Sequence, residues 1–122
     1  METQITEKVR NTYLKEEVMG MSKEELVVKL YDVGIAGCLS KDERKVLKIL
    51  AELIDSLNFD YGELPARLFR LYQYAMYEAK KGHFGETLNV LQDLRNTWVK
   101  TFKLEDKYPF MDAELSEEIE EK

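Results

Sequence analysis

The segment Ser22-Lys23-Glu24-Glu25-Leu26-Val27-Val28-Lys29-Leu30-Tyr31-Asp32-Val33-Gly34-Ile35-Ala36-Gly37-Cys38-Leu39-Ser40-Lys41-Asp42-Glu43 begins and ends on the same device. Ser22 with Glu25 fits a capping box, in which the hydroxyl accepts from the amide three residues on and the glutamate reaches back to the serine amide. Ser40 with Glu43 repeats the pattern one residue after Leu39. Between the two, Leu26, Val27, Leu30, Tyr31, Gly34 and Cys38 fall on one side of a helix, and Val28, Ile35 and Leu39 form a second strip. Two apolar strips on one helix imply burial against more than one neighbour, or an exposed groove. A helix start so soon after a helix end requires a very tight turn.

Outward from this hairpin the same period continues. Val46, Leu50, Leu53 and Leu57 share a face widened by Leu47, Ile49 and Ile54, and that helix is expected to stop near Asn58. After the loop Phe59-Asp60-Tyr61-Gly62, Pro65 suits a first helical turn, where its missing amide costs nothing. The next helix carries Leu68, Leu71, Tyr72, Ala75 and Ala79, and Gly82 terminates it. A last long helix carries Leu88, Leu91, Leu94, Trp98 and Phe102. Upstream, Ile5, Val9 and Tyr13 sit four apart and predict a short N-terminal helix. No alternating strand pattern competes. Short connections force sequential helices to run in opposite directions, so the predicted fold is all-α, an antiparallel four-helix bundle with a short additional N-terminal helix.

The composition fits one domain. There are 122 residues, 44% of them hydrophobic and 34% charged, with only two prolines and six glycines. The net charge of −6 is unevenly placed: residues 105–122 hold eight acids against Lys107 and Lys122, and residues 1–104 are balanced. The chain therefore divides into a bundle, 1–104, and an acidic tail, 105–122. A neutral body with an acidic tail argues against nucleic acid, which demands clustered positive charge. No apolar run approaches the ~20 residues of a membrane span, so no membrane insertion is expected. Met1-Glu2-Thr3-Gln4 has no secretory n-region, and Cys38 is the lone cysteine, which together give a cytoplasmic expectation.

No cofactor, metal or catalytic group is expected. His83 lies in a Gly-His-Phe-Gly turn with no carboxylate on a shared helix face in a Glu-x-x-His pattern, and is read as a solvated or lightly packed loop histidine. Cys38 on an apolar face is read as a buried inert thiol. Gly34-Ile35-Ala36-Gly37 lacks the following lysine of a phosphate loop, so its glycines mark close helix–helix or helix–ligand approach. An enzymatic alternative, a small all-helical chorismate mutase, needs arginines such as Arg10, Arg44, Arg67, Arg70 and Arg95 gathered inside the bundle. Most of these fall where a solvated face is expected.

Taken in order, four segments resemble the flagellar secretion chaperone FliS family. They are Asn11-Thr12-Tyr13-Leu14, Ser22 through Asp32, Leu71-Tyr72-Gln73-Tyr74-Ala75-Met76, and Leu91-Gln92-Asp93-Leu94-Arg95-Asn96-Thr97-Trp98. The chain departs from the family at Lys23, where a proline is usual, and at Val33-Gly34, where the glycine has moved one place. Between Asp32 and Ser56 it is also shorter than the family, a cut of about two helical turns from each arm of a hairpin. The resemblance implies a cytoplasmic export chaperone that binds the C-terminal helical segment of flagellin and prevents premature polymerisation. It admits contacts with other flagellar export components, and allows a homodimer. The peptide surface is expected at Asn11, Tyr13 and Leu14, which can cover it as a lid. With them are Leu26, Val27, Leu30, Tyr31 and Ile35 of one helix, and Leu68, Leu71, Tyr72 and Ala75 of another. The alternative from a different class is a FliS-like adaptor for a non-flagellin partner. The tail adds Tyr108, Phe110, Met111, Leu115 and Ile119. Either it is a solvated acidic appendage, or residues 108–119 dock in a groove and mimic the client.

Overall fold

The computed structural model describes residues 20–112, and the expected N-terminal helix lies outside them. Four helices follow in order: α1 (Lys23–Leu39), α2 (Glu43–Asp55), α3 (Glu63–Lys80) and α4 (Phe84–Thr101). Each packs against its chain neighbours and α4 closes against α1, so α1 and α3 face one another across a diagonal. This is the all-α four-helix bundle that the spacing predicts.

The helix ends show how the sequence sets the bundle. At α1 the capping box is made in full: Glu25 N donates to Ser22 Oγ and Ser22 N to Glu25 Oε1, both at 3.1 Å. The second box is not made. Asp42 caps α2, accepting from Lys45 N at 3.1 Å, while Ser40 closes α1 by donating its hydroxyl to the Gly37 carbonyl. The reason lies in the turn: Lys41 takes φ 56°, and Asp42 N reaches the Gly37 carbonyl at 2.8 Å. Ser40 is consumed by the end of the first helix, so α2 starts two residues later than Ser40 would set. Helix α2 stops at Asp55, with Ser56 as its cap, rather than near Asn58. Gly82 ends α3 at φ 83°, a left-handed position that glycine adopts without strain.

Leu30, Ile35, Ile49, Leu50, Leu53, Leu88 and Leu91 fill the core between the helices, each almost fully buried. The glycines of α1 make room for it. A Cβ on Gly37 would lie 2.9 Å from Val46 Cγ2, and one on Gly34 would lie 3.0 Å from Leu91 Cδ1 and 3.1 Å from Ile49 Cγ2. Helix α1 therefore approaches α2 and α4 at backbone distance, the helix–helix reading of the two glycines. Thr87, fully buried, donates to the Ala75 carbonyl at 2.9 Å and ties α4 to α3.

After α4 the chain reverses. Lys103 takes φ 55°, and Leu104 N bonds the Val99 carbonyl at 2.9 Å. Residues 105–112 then run back along the seam between α1 and α4. Met111 packs against the core cluster, and residues 109–112 are not helical. The four-residue spacing of Met111, Leu115 and Ile119 thus does not make a helix at Met111. Leu115 and Ile119 lie outside the described residues.

Candidate functional site: an apolar cavity at the end of the bundle

Where the N-termini of α1 and α3 meet the C-termini of α2 and α4, the helices part around a cavity of about 360 Å³. Its walls are apolar. Leu26, Val27 and Leu30 come from α1, Leu53 from the last turn of α2 and Leu57 from just beyond it, Leu64, Leu68 and Tyr72 from α3, Trp98 from the last turn of α4 and Phe102 from its cap. The rim is polar, with Lys23, Ser56 and Asn58. Large apolar side chains at the mouth stay in solvent: Tyr61 is 76% exposed, Leu64 63% and Phe102 42%. An open apolar cleft with a polar rim takes an apolar side chain, or one face of an amphipathic helix.

Two fasteners hold the walls. Trp98 Nε1 donates to the Glu24 carbonyl at 3.0 Å, pinning the last turn of α4 to the first turn of α1. That carbonyl lies inside α1, so its extra bond goes to a neighbouring helix. The Trp98 ring packs against Phe102 at a tilt of 46°, centroids 4.9 Å apart. Deeper, the Tyr31 and Tyr72 hydroxyls share a buried hydrogen bond of 2.7 Å across the α1–α3 diagonal. Burial pushes both phenols above their ordinary pKa, Tyr31 well above it, because a phenolate there would lose its hydration.

The structure sorts the residues expected from the sequence. Leu26, Val27, Leu30, Leu68 and Tyr72 line the cavity together. Tyr31, Ile35 and Ala75 are buried in the core, at 1%, 2% and 0% exposure. Leu71 is 40% exposed and is not part of the cavity wall. Asn11, Tyr13 and Leu14 lie outside the described residues. Helices α1 and α3, whose wide faces carry the expected groove, are diagonal partners, so they share this space only where the bundle parts at its end. Sequence reasoning missed Leu53, Leu57, Tyr61, Leu64, Trp98 and Phe102 as wall residues. Their common signal is position: each belongs to a helix end or the α2–α3 connection on the same side of the bundle.

The other candidates resolve simply. Arg44, Arg67 and Arg70 are exposed and Arg95 is 4% exposed, so the described arginines do not gather. Three of these four thus lie on the expected solvated face, and Arg95 is the exception: its Nε bonds Asp32 Oδ1 at 2.7 Å. His83 Nδ1 lies 2.8 Å from Glu78 Oε1, a carboxylate five residues back across the α3–α4 turn. Its side chain is 43% exposed, so of the two expected states it is the lightly packed one, with one partner. Cys38 is fully buried. Among the described residues no cluster of metal-ligating side chains occurs, and no helix is long and apolar enough to cross a membrane. No protein-family model, curated protein or solved structure matches the chain.

Proposed function

We propose that this chain is a cytoplasmic binding protein of the export-chaperone type, which holds the C-terminal helical segment of flagellin before secretion and performs no chemistry on it. The observation that carries the reading is the end cavity, apolar inside, polar at the rim and flanked by exposed Tyr61, Leu64 and Phe102. A client whose amphipathic helices polymerise must have its apolar face covered, and such a cleft covers one with anchors spaced three and four residues apart. Helices α1, α3 and α4 carry the segments that resemble the FliS family, and their ends form three of the four walls. A reducing compartment suits the buried thiol of Cys38.

A second reading keeps the mechanism and changes the client. Helix α2 has 13 residues against 17 in α1 and 18 in each of α3 and α4. The short arm favours an adaptor for a different helical partner, since less surface is offered along α2. Titration of the full chain with a synthetic flagellin C-terminal peptide separates the two readings. Saturable binding supports the first, and its absence alongside binding of another amphipathic helix supports the second.

A further inference from the structure

Three polar side chains of α4 within five positions, Gln92, Arg95 and Asn96, bond the backbone of the strap of residues 105–112. Asn96 makes a two-pronged clamp on one residue: its Nδ2 donates to the Met111 carbonyl at 3.1 Å, and its Oδ1 accepts from the Met111 amide at 3.0 Å. Arg95 Nη1 donates to the Pro109 carbonyl at 2.6 Å. One turn away, Gln92 Nε2 donates to the Asp112 carbonyl and lies 3.4 Å from that of Met111. Gln92 is 3% exposed, yet its Oε1 has no hydrogen-bond partner among the described residues. Side chains add to this hold: Lys107 Nζ lies 2.8 Å from Glu25 Oε2. Met111 packs on the core cluster, Tyr108 reaches Glu25 at 3.3 Å, and Phe110 is 52% exposed.

From this we infer that Gln92, Arg95 and Asn96 form a second binding site, a track for an extended peptide segment of a partner protein, which the chain's own strap occupies in cis. The chemistry selects the conformation of the occupant. A residue inside a helix has its amide and carbonyl already bonded within the helix, so only an extended segment offers both to one asparagine. It selects less by side chain: an apolar group in the place of Met111 fills the contact on the core, and Tyr108 and Lys107 reach Glu25. The free Gln92 acceptor marks where a further amide of a longer extended segment is received, because a buried acceptor without a donor is costly. The strap, covalently tethered at millimolar effective concentration, masks the track until a competitor or a weakened strap clears it. This site is separate from the end cavity and does not depend on what the cavity binds.

The test uses the full chain and a fluorescein-labelled peptide of the strap sequence, Glu-Asp-Lys-Tyr-Pro-Phe-Met-Asp, supplied in trans. Weakening the resident strap with Tyr108→Ala and Met111→Gly is expected to tighten probe binding by roughly tenfold over the parent, as the tethered competitor is lost. Adding Asn96→Leu is expected to abolish that gain, and Leu64→Asp at the cavity to leave it unchanged. Equal probe affinity in the parent and the strap variant, or a gain that survives Asn96→Leu, overturns the proposal. Hydrogen exchange on the unmodified chain covers the case in which the strap variant fails to fold. The Met111 amide is expected to exchange well ahead of the buried helical amide of Leu91. If the two exchange together, the strap is a fixed part of the fold and the track is never free.

Discussion

Tyr31 and Tyr72 meet hydroxyl to hydroxyl at 2.7 Å, buried between diagonal helices and separated by 41 positions of sequence. The two tyrosine-bearing segments that look like ligand anchors in the sequence are fastened to each other. Asp32 and Arg95 repeat the arrangement between α1 and α4, as do Glu24 and Trp98. Much of the patterned polar chemistry of this chain thus closes the bundle, and the apolar cavity lies at the end where the helices part.

The tyrosine pair is expected to behave as a coupled unit. Tyr31→Phe or Tyr72→Phe alone strands one buried hydroxyl and is predicted to cost about 1–2 kcal/mol. The double variant, which removes both groups, is predicted to cost less than the sum of the singles. Urea unfolding of the four proteins in the cycle measures this. Strict additivity would mean that the hydrogen bond contributes nothing.

Alkaline pH should weaken the fold through the same pair. Both folded-state pKa values are raised, so the neutral phenols are favoured in the folded chain. Their contribution is complete below the unfolded value of about 10 and is lost as pH rises above it. Urea midpoints are expected to fall between pH 9 and pH 11, and to fall less in the Tyr31→Phe/Tyr72→Phe protein.

Gly37 is predicted to resist replacement. A Cβ there would lie 2.9 Å from Val46 Cγ2 and 3.2 Å from Lys45 Cδ. Gly37→Ala gains ~0.5–1 kcal/mol of helix preference, but overpacking a buried contact costs ~1–3 kcal/mol. Net destabilisation of about 1 kcal/mol is expected in thermal or urea unfolding. A stabilised variant would show that α1 and α2 are less closely packed than described.

The strap should loosen in acid. Lys107 Nζ lies 2.8 Å from Glu25 Oε2, and that hydrogen bond, followed by the one from the Ser22 amide, lowers the Glu25 pKa. A lowered carboxylate contributes stability above its unfolded value and loses it as pH falls through the folded one. Amide exchange at Met111, compared with Leu91 at each pH, is expected to accelerate selectively below about pH 4.5. In Glu25→Gln that selective step should vanish.

How much of this was legible in the sequence follows from the range of each signal. Ser22 with Glu25 is local, three residues apart, and is made as read. Ser40 carries the same signature, but the turn claims it for the end of α1 and leaves Asp42 to cap α2. The core faces of α2 and α4 follow largely from periodicity, whereas on α3 Leu71, in the same apolar series as Tyr72 and Ala75, is 40% exposed. Leu57, Tyr61, Leu64 and Phe102 do not, because they sit where periodicity stops and share a site only through the antiparallel arrangement. Arg95 looks like a surface residue from its charge. Only Asp32, 63 positions away, and the Pro109 carbonyl explain its burial. The Asn96 clamp is invisible for the same reason: an asparagine on a helix face announces no partner.

The central claim, that the end cavity receives the apolar face of a flagellin helix, is tested most directly by calorimetric titration of the full chain with a synthetic flagellin C-terminal peptide at two temperatures. Saturable one-to-one binding with a negative heat-capacity change is predicted, since apolar surface is buried. Leu64→Asp, at an exposed position of the rim, is predicted to abolish that binding, and Leu71→Ala, outside the cavity, to leave it unchanged. Absence of saturable heat with the folded parent, or binding that Leu64→Asp leaves intact, would contradict the claim.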